Sequence, residues 1–307
     1  MGRLAGVLLA LAAASSASAQ EPEPKQKGAL VFNWPLPARL RVTETRTKDG
    51  ETVATRMVIS VAAEGEGLRL KHEALELIDT HETVPATPEE KEEEASLLAA
   101  IGPLPDFKMN RDGTGGEVVG LEEAIERWTA ALSALDTDGL ITEEARKRVR
   151  SPEVQSILRN KLIERWHIWV GAWMNIKLGP GQRIEHLREI PLGKTLVDAP
   201  SVLEHLGVVG PRTVRLRLTT RLEGDAARDA FRKMLRSVLG EGASVSEVIE
   251  FRRTTAVEVE INVDTGLPRA ASTETLSLVH LAGEERRERV ETVRYQLELL
   301  EDEAAPR

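Results

Sequence analysis

Trp166, Trp169 and Trp173 stand within one short stretch, ERWHIWVGAWM. The chain has 307 residues and five tryptophans, so three of its largest apolar side chains fall here. Each indole has two broad apolar faces and one N–H donor. A cluster of them can hold an apolar ligand, dock on a partner or membrane, or fill a core. Spacings of three and four put the three rings on one helical face with Val154, Leu158 and Leu162. Packing of that face on a sheet is the simplest reading. The lining of an apolar cavity makes the same three residues the candidate ligand-binding site.

Other motifs come close to a chemistry and then lack a part. Gly193-Lys194-Thr195 matches the end of a phosphate-binding loop, but Arg188 stands where the upstream glycine must let the backbone wrap a phosphate. Gly242-Ala243-Ser244-Val245-Ser246 resembles a nucleophile elbow that ends in serine, where the strained turn needs glycine. Asp136-Thr137-Asp138-Gly139 resembles part of a calcium loop, yet Ala134 and Ala145 occupy its first and last ligand positions. The histidines are His72, His81, His167, His186, His205 and His280, and no pair has helical metal-binding spacing beside an acid. No catalytic residue, metal ligand or cofactor is assigned from these patterns.

The elements that must carry the tryptophans change period along the chain. ARLRVTETRT and ETVATRMVISVA flank Asp49-Gly50, which predicts an antiparallel hairpin because glycine tolerates the positive φ of such turns. LRLKHEALELID continues the alternation with a phase shift, which predicts a β-bulge near Glu73. Thr87-Pro88-Glu89-Glu90 starts a helix, Phe107 lies in a short strand, and LEEAIERWTAALSAL reads as a helix. Further helices are expected from Thr142 and from Ser151, the latter of about 23 residues. In RTVRLRLTTRL, Val214, Leu216, Leu218 and Leu222 share one face and Arg215, Arg217 and Arg221 the other. A helix at DAARDAFRKMLRSVL precedes a second meander with turns at Asp264-Thr265-Gly266 and Gly283. The prediction is one α+β domain over residues 30–300. Its N- and C-terminal meanders form a curved antiparallel sheet, and a helical middle, about 88–175, packs on one face.

The chain opens with MGRLAGVLLALAAASSASAQ, whose apolar run and Ala17-Ser18-Ala19 fit a secretory signal cleaved after Ala19. Residues 20–29 read as a flexible leader and 301–307 as a disordered tail. No later stretch is apolar enough to span a bilayer, so no stable membrane insertion is expected after cleavage. There is no cysteine, which excludes disulfides and a lipid-modified cysteine, and no Asn-x-Ser/Thr sequon. A bacterial periplasmic or secreted location is expected. A net charge of −9 opposes nucleic-acid binding.

The signal, the antiparallel meanders, the inserted helices and the turn Val263-Asp264-Thr265-Gly266-Leu267-Pro268 resemble the half-barrel envelope proteins typified by the lipoprotein-localisation carriers. That resemblance is one of layout across residues 30–300. It implies an exported, soluble, non-enzymatic envelope protein that binds a hydrophobic ligand or another envelope component. A hydrolase with a dispersed site and a purely structural or interaction protein are the alternatives.

Overall fold

Alternation of apolar and polar residues dominates both ends of the chain, and both ends join one sheet. The computed structural model describes residues 29–81, 102–135, 147, 150–193, 195–239 and 246–300. The expected signal, most of the expected leader, the expected helix starts at Thr87 and Thr142 and the expected tail lie outside the described residues. The first meander is β1 (Ala38–Lys48), β2 (Glu51–Glu64) and β3 (Gly67–His81), followed by β4 (Asp106–Asn110) and β5 (Glu117–Val119). The second half supplies β6 (Arg183–Leu192), β7 (Thr195–Gly210), β8 (Thr213–Leu222), β9 (Val248–Asn262), β10 (Pro268–Leu281) and β11 (Arg287–Leu299). Their order across the open sheet is β5-β4-β3-β2-β1-β11-β10-β9-β8-β7-β6, and β1 pairs antiparallel with β11.

The described helices are α1 (Leu121–Leu135), α2 (Pro152–Trp166) and α3 (Gly224–Leu239). Ser151 caps α2, its hydroxyl accepting from Val154 N–H at 3.3 Å. The expected 23-residue helix does not run on unbroken. A π-turn, His167–Gly171, follows α2, and the Ala172 N–H reaches the His167 carbonyl at 3.1 Å. The expected bulge at Glu73 is present, because Val58 pairs with Ala74 and Ile59 with His72. β6 and β7 are two strands that the alternation does not predict. β6 is a charged edge strand, and β7 carries Pro200 and a register shift near Gly207. Leu192 pairs with Thr195, so the Gly193 segment is the tip of their hairpin, with Gly193 at φ 64°.

Two apolar cores lie on the same face of the sheet. The larger gathers Leu40, Val42, Met57 and Ile59 from the first meander, Leu216, Leu218, Val259 and Ile261 from the second, and the three tryptophans. The smaller packs Ala227 and Ala230 of α3 on Ile190, Val197, Leu222 and Phe251. Leu218 and Leu222 keep the same parity on β8, as do Phe251 and Val259 on β9, so α2 and α3 rest on one surface.

Residues 30–34 strap the larger core. Leu30 N–H donates to the Ile176 carbonyl at 3.0 Å, Asn33 N–H to the Thr265 carbonyl at 2.8 Å, and Trp34 Nε1 to the Gly266 carbonyl at 3.1 Å. Gly266 has φ 68°, and a Cβ there would stand 2.5 Å from the Val31 carbonyl oxygen. Gly266→Ala is therefore expected to lower stability by about 1–3 kcal/mol through backbone strain and a displaced strap. A thermal transition unchanged from wild type would contradict it.

Candidate functional site

The three tryptophans are fully buried, Trp166 at 2%, Trp169 at 1% and Trp173 at 0% exposure. Trp166 Nε1 donates to the Gly113 carbonyl at 2.8 Å, and its ring meets Trp34 at 5.7 Å and Phe107 at 6.1 Å. Trp169 sets its ring edge-on to Tyr295 at 5.5 Å, and Trp173 Nε1 donates to the Ile168 carbonyl at 2.8 Å. None of the three lines the cavities beside them. The residues between them do: His167, Ile168 and Ala172. Gly171 makes room for His167, because a Cβ there would stand 2.7 Å from its Nδ1.

The cavities follow a transverse row of polar side chains that separates the two cores. Reading across paired strands, the row is Lys48, Glu291, Thr275, Thr255, Thr220, Ser201 and His186. Alternation makes this one face of the sheet. Thr220 and Ser201 share a hydroxyl hydrogen bond at 3.1 Å. The row is polar on seven adjacent strands, and on five of them, β10, β9, β8, β7 and β6, it lies between apolar positions, so the cores do not merge there and a trough remains under α2. Its wider chamber has a volume of about 380 Å³. Val53, Met57, Leu75, Leu162 and Val293 form the apolar part of its wall. A narrower chamber of about 70 Å³ continues toward β6, and the two share Glu164, Ile168 and Arg253.

Charged pairs line the wider chamber. Arg165 of α2 meets Glu44 of β1 at 2.9 Å, each side chain 14% exposed. Arg46 pairs with Glu291, and Lys161 with Glu164 at 3.4 Å. Burial pushes the Tyr295 hydroxyl pKa up, aided by Glu44, so the phenol stays neutral beside Arg165. Arg253 faces Glu164 and Glu291. The trough is thus amphipathic, with apolar strips between fixed charges. Among the described residues no group of three His, Asp or Glu side chains could hold a metal. No described helix is long and apolar enough to cross a membrane.

Two buried histidines give the fold a pH dependence. His72 Nδ1 lies 2.8 Å from the Pro105 carbonyl, which only accepts, so Nδ1 carries the proton. Burial, then the Arg165 charge, pulls His72 down to about 4. Burial, then Arg188, pulls His167 down to about 4 as well. Unfolded histidine titrates near 6.5. Between those values the unfolded chain takes up protons that the folded chain refuses. Stability is therefore fully present above pH 6.5 and lost as pH falls toward 4. Each histidine is expected to contribute about 2 kcal/mol of the loss between pH 7 and pH 4.5. Denaturant titrations at the two pH values check this. His72→Gln should shrink the difference, and an undiminished difference would refute the assignment.

No family model and no curated protein matches the chain. A solved structure described as lipid–protein interactions in lipovitellin is similar at TM-score 0.43 and 11% identity, over 92% of this chain and 26% of that chain. The chain thus spans about a quarter of the length of that protein.

Proposed function

We propose that the protein is an exported, soluble, non-enzymatic envelope protein that binds an amphipathic ligand in the trough beneath α2. The observation that carries this reading is the chamber of about 380 Å³ with apolar strips set between buried charges. Small-molecule sites are concave, mostly apolar and a few hundred Å³ or larger, with a few placed polar groups. Trp169 stands behind Tyr295 of this chamber, and Trp173 donates to the carbonyl of Ile168, which lines both chambers. Export rests on the N-terminal signal, and a bacterial periplasmic or secreted location on the same segment.

The test is binding. A fluorescent acyl probe titrated into the purified chain should bind, and native mass spectrometry should show a co-purifying small amphiphile. Thr273 lies in the wall of the chamber. Thr273→Phe should fill that space and abolish probe binding while the chain stays folded. Full binding by a folded Thr273→Phe variant would reject the trough as the site. Export makes a separate prediction: protein collected from the periplasm or medium of a bacterial host begins at Gln20. Material retaining Met1 or Gly2 would reject cleavage after Ala19.

A further inference from the structure

We propose that the narrow end of the trough is an anion subsite, built on Arg188 with His167, Thr220 and Thr255, and that the ligand is an amphiphile with an anionic carboxylate or phosphate head. This inference rests on the proposed reading of the trough and adds the chemistry of the head.

Arg188 differs from most of the other described arginines. Arg215 meets Glu260, Arg217 meets Glu258, Arg69 meets Asp106 and Arg165 meets Glu44. Among the described residues no hydrogen bond or ion pair engages Arg188. Its side chain is half-buried in the chamber wall, and that burial pulls its pKa down. A cation partly removed from water without a counter-ion is unfavourable. Its strand neighbours do not supply one. Glu185 and Glu189 alternate onto the opposite face of β6, and Glu185 is engaged by Arg183. Glu164, the acid in the same chamber, pairs with Lys161 and faces Arg253. The cations of the narrow chamber therefore outnumber its carboxylates.

The other polar groups are mainly donors. Both ring nitrogens of His167 are buried and have no hydrogen-bond partner among the described residues. A neutral imidazole can donate one N–H to an oxyanion. The guanidinium presents N–H groups in a fork that matches a carboxylate or phosphate. Thr220 and Thr255 add hydroxyls from the floor. Size agrees with the assignment. The chamber at Arg188 holds about 70 Å³, and a water occupies roughly 30 Å³. It suits a head group, and the wider chamber beyond Ile168 suits an apolar tail. Arg188 also lies on the edge strand β6, where a ligand can enter from the sheet margin.

The experiment uses the purified chain and four named ligands: dodecanoate, dodecyl phosphate, dodecanol and inorganic phosphate. Binding is read by calorimetry or displacement of the acyl probe. At least one anionic amphiphile should bind about tenfold or more tightly than dodecanol, and the better of the two names the head. Arg188→Leu should remove that preference and leave dodecanol binding unchanged. Because the cation is unpaired, ligand-free Arg188→Leu should be no less stable than wild type, so misfolding does not confound the result. Anion preference retained in Arg188→Leu overturns the subsite, as does equal binding of dodecanol and both acids by wild type. In either case the trough would still bind tails, and the function proposed above would stand. Inorganic phosphate binding alone, without any amphiphile, overturns both.

Discussion

Trp166→Ala is expected to lower the unfolding free energy by about 3–5 kcal/mol, the range for large aromatics removed from cores. Its ring is enclosed by Phe32, Trp34 and Phe107, and its N–H satisfies the Gly113 carbonyl. The substitution removes those contacts and leaves a buried acceptor unpaired, and the two losses act together. The strap formed by residues 30–34 loses its main support, so Trp34 fluorescence should shift toward that of exposed indole. Chemical denaturation gives the number. A loss below about 1 kcal/mol would mean that the site collapses around the cavity, against the close packing of this core.

Removing one side of the Arg165–Glu44 pair is expected to cost about as much as removing Trp166. Both side chains are largely buried, so neither charge recovers its hydration when the other is deleted. Arg165→Met should destabilise the protein by about 3–5 kcal/mol, because Glu44 is left beside the neutral Tyr295 without its cation. Arg165→Met combined with Glu44→Leu should regain most of that loss, since two apolar side chains need no counter-charge. The double-mutant cycle separates pairing from packing. If the double variant were no more stable than Arg165→Met, the loss would come from the geometry of α2 rather than from a stranded charge.

Much of the sheet was legible because its strands carry strict alternation. The Asp49-Gly50 and Thr265-Gly266 turns, the bulge at Glu73 and the apolar face of β8 follow from period and turn chemistry, and the structure has each of them. β6 and β7 were not legible, since an edge strand needs little apolar content and β7 breaks its own alternation at a register shift. The π-turn leaves no local signature, because the tryptophan spacings fit an unbroken helix equally well. The trough did have a signal. On β8 the inward positions read Val214, Leu216, Leu218, Thr220 and Leu222, and on β9 Phe251, Arg253, Thr255, Val257 and Val259. One polar interruption on a single strand is unremarked in sequence. Only the register shows that the interruptions fall side by side.

Pairing of β1 with β11 puts the two ends of the described chain side by side in the middle of the sheet, where Arg41 and Glu298 meet from 257 positions apart. Closing a loop of that length costs about 5 kcal/mol in chain entropy, on the logarithmic scaling for flexible loops. None of that cost is offset by local contacts, so the seam forms late and the fold is slow relative to its size. During synthesis the first meander must wait, with the hydrogen-bonding edge of β1 open, until β11 has been made. An open edge on a waiting meander invites pairing with a second copy. Slow seam closure therefore leaves that edge open to pairing between copies for longer, and the exposure grows with concentration.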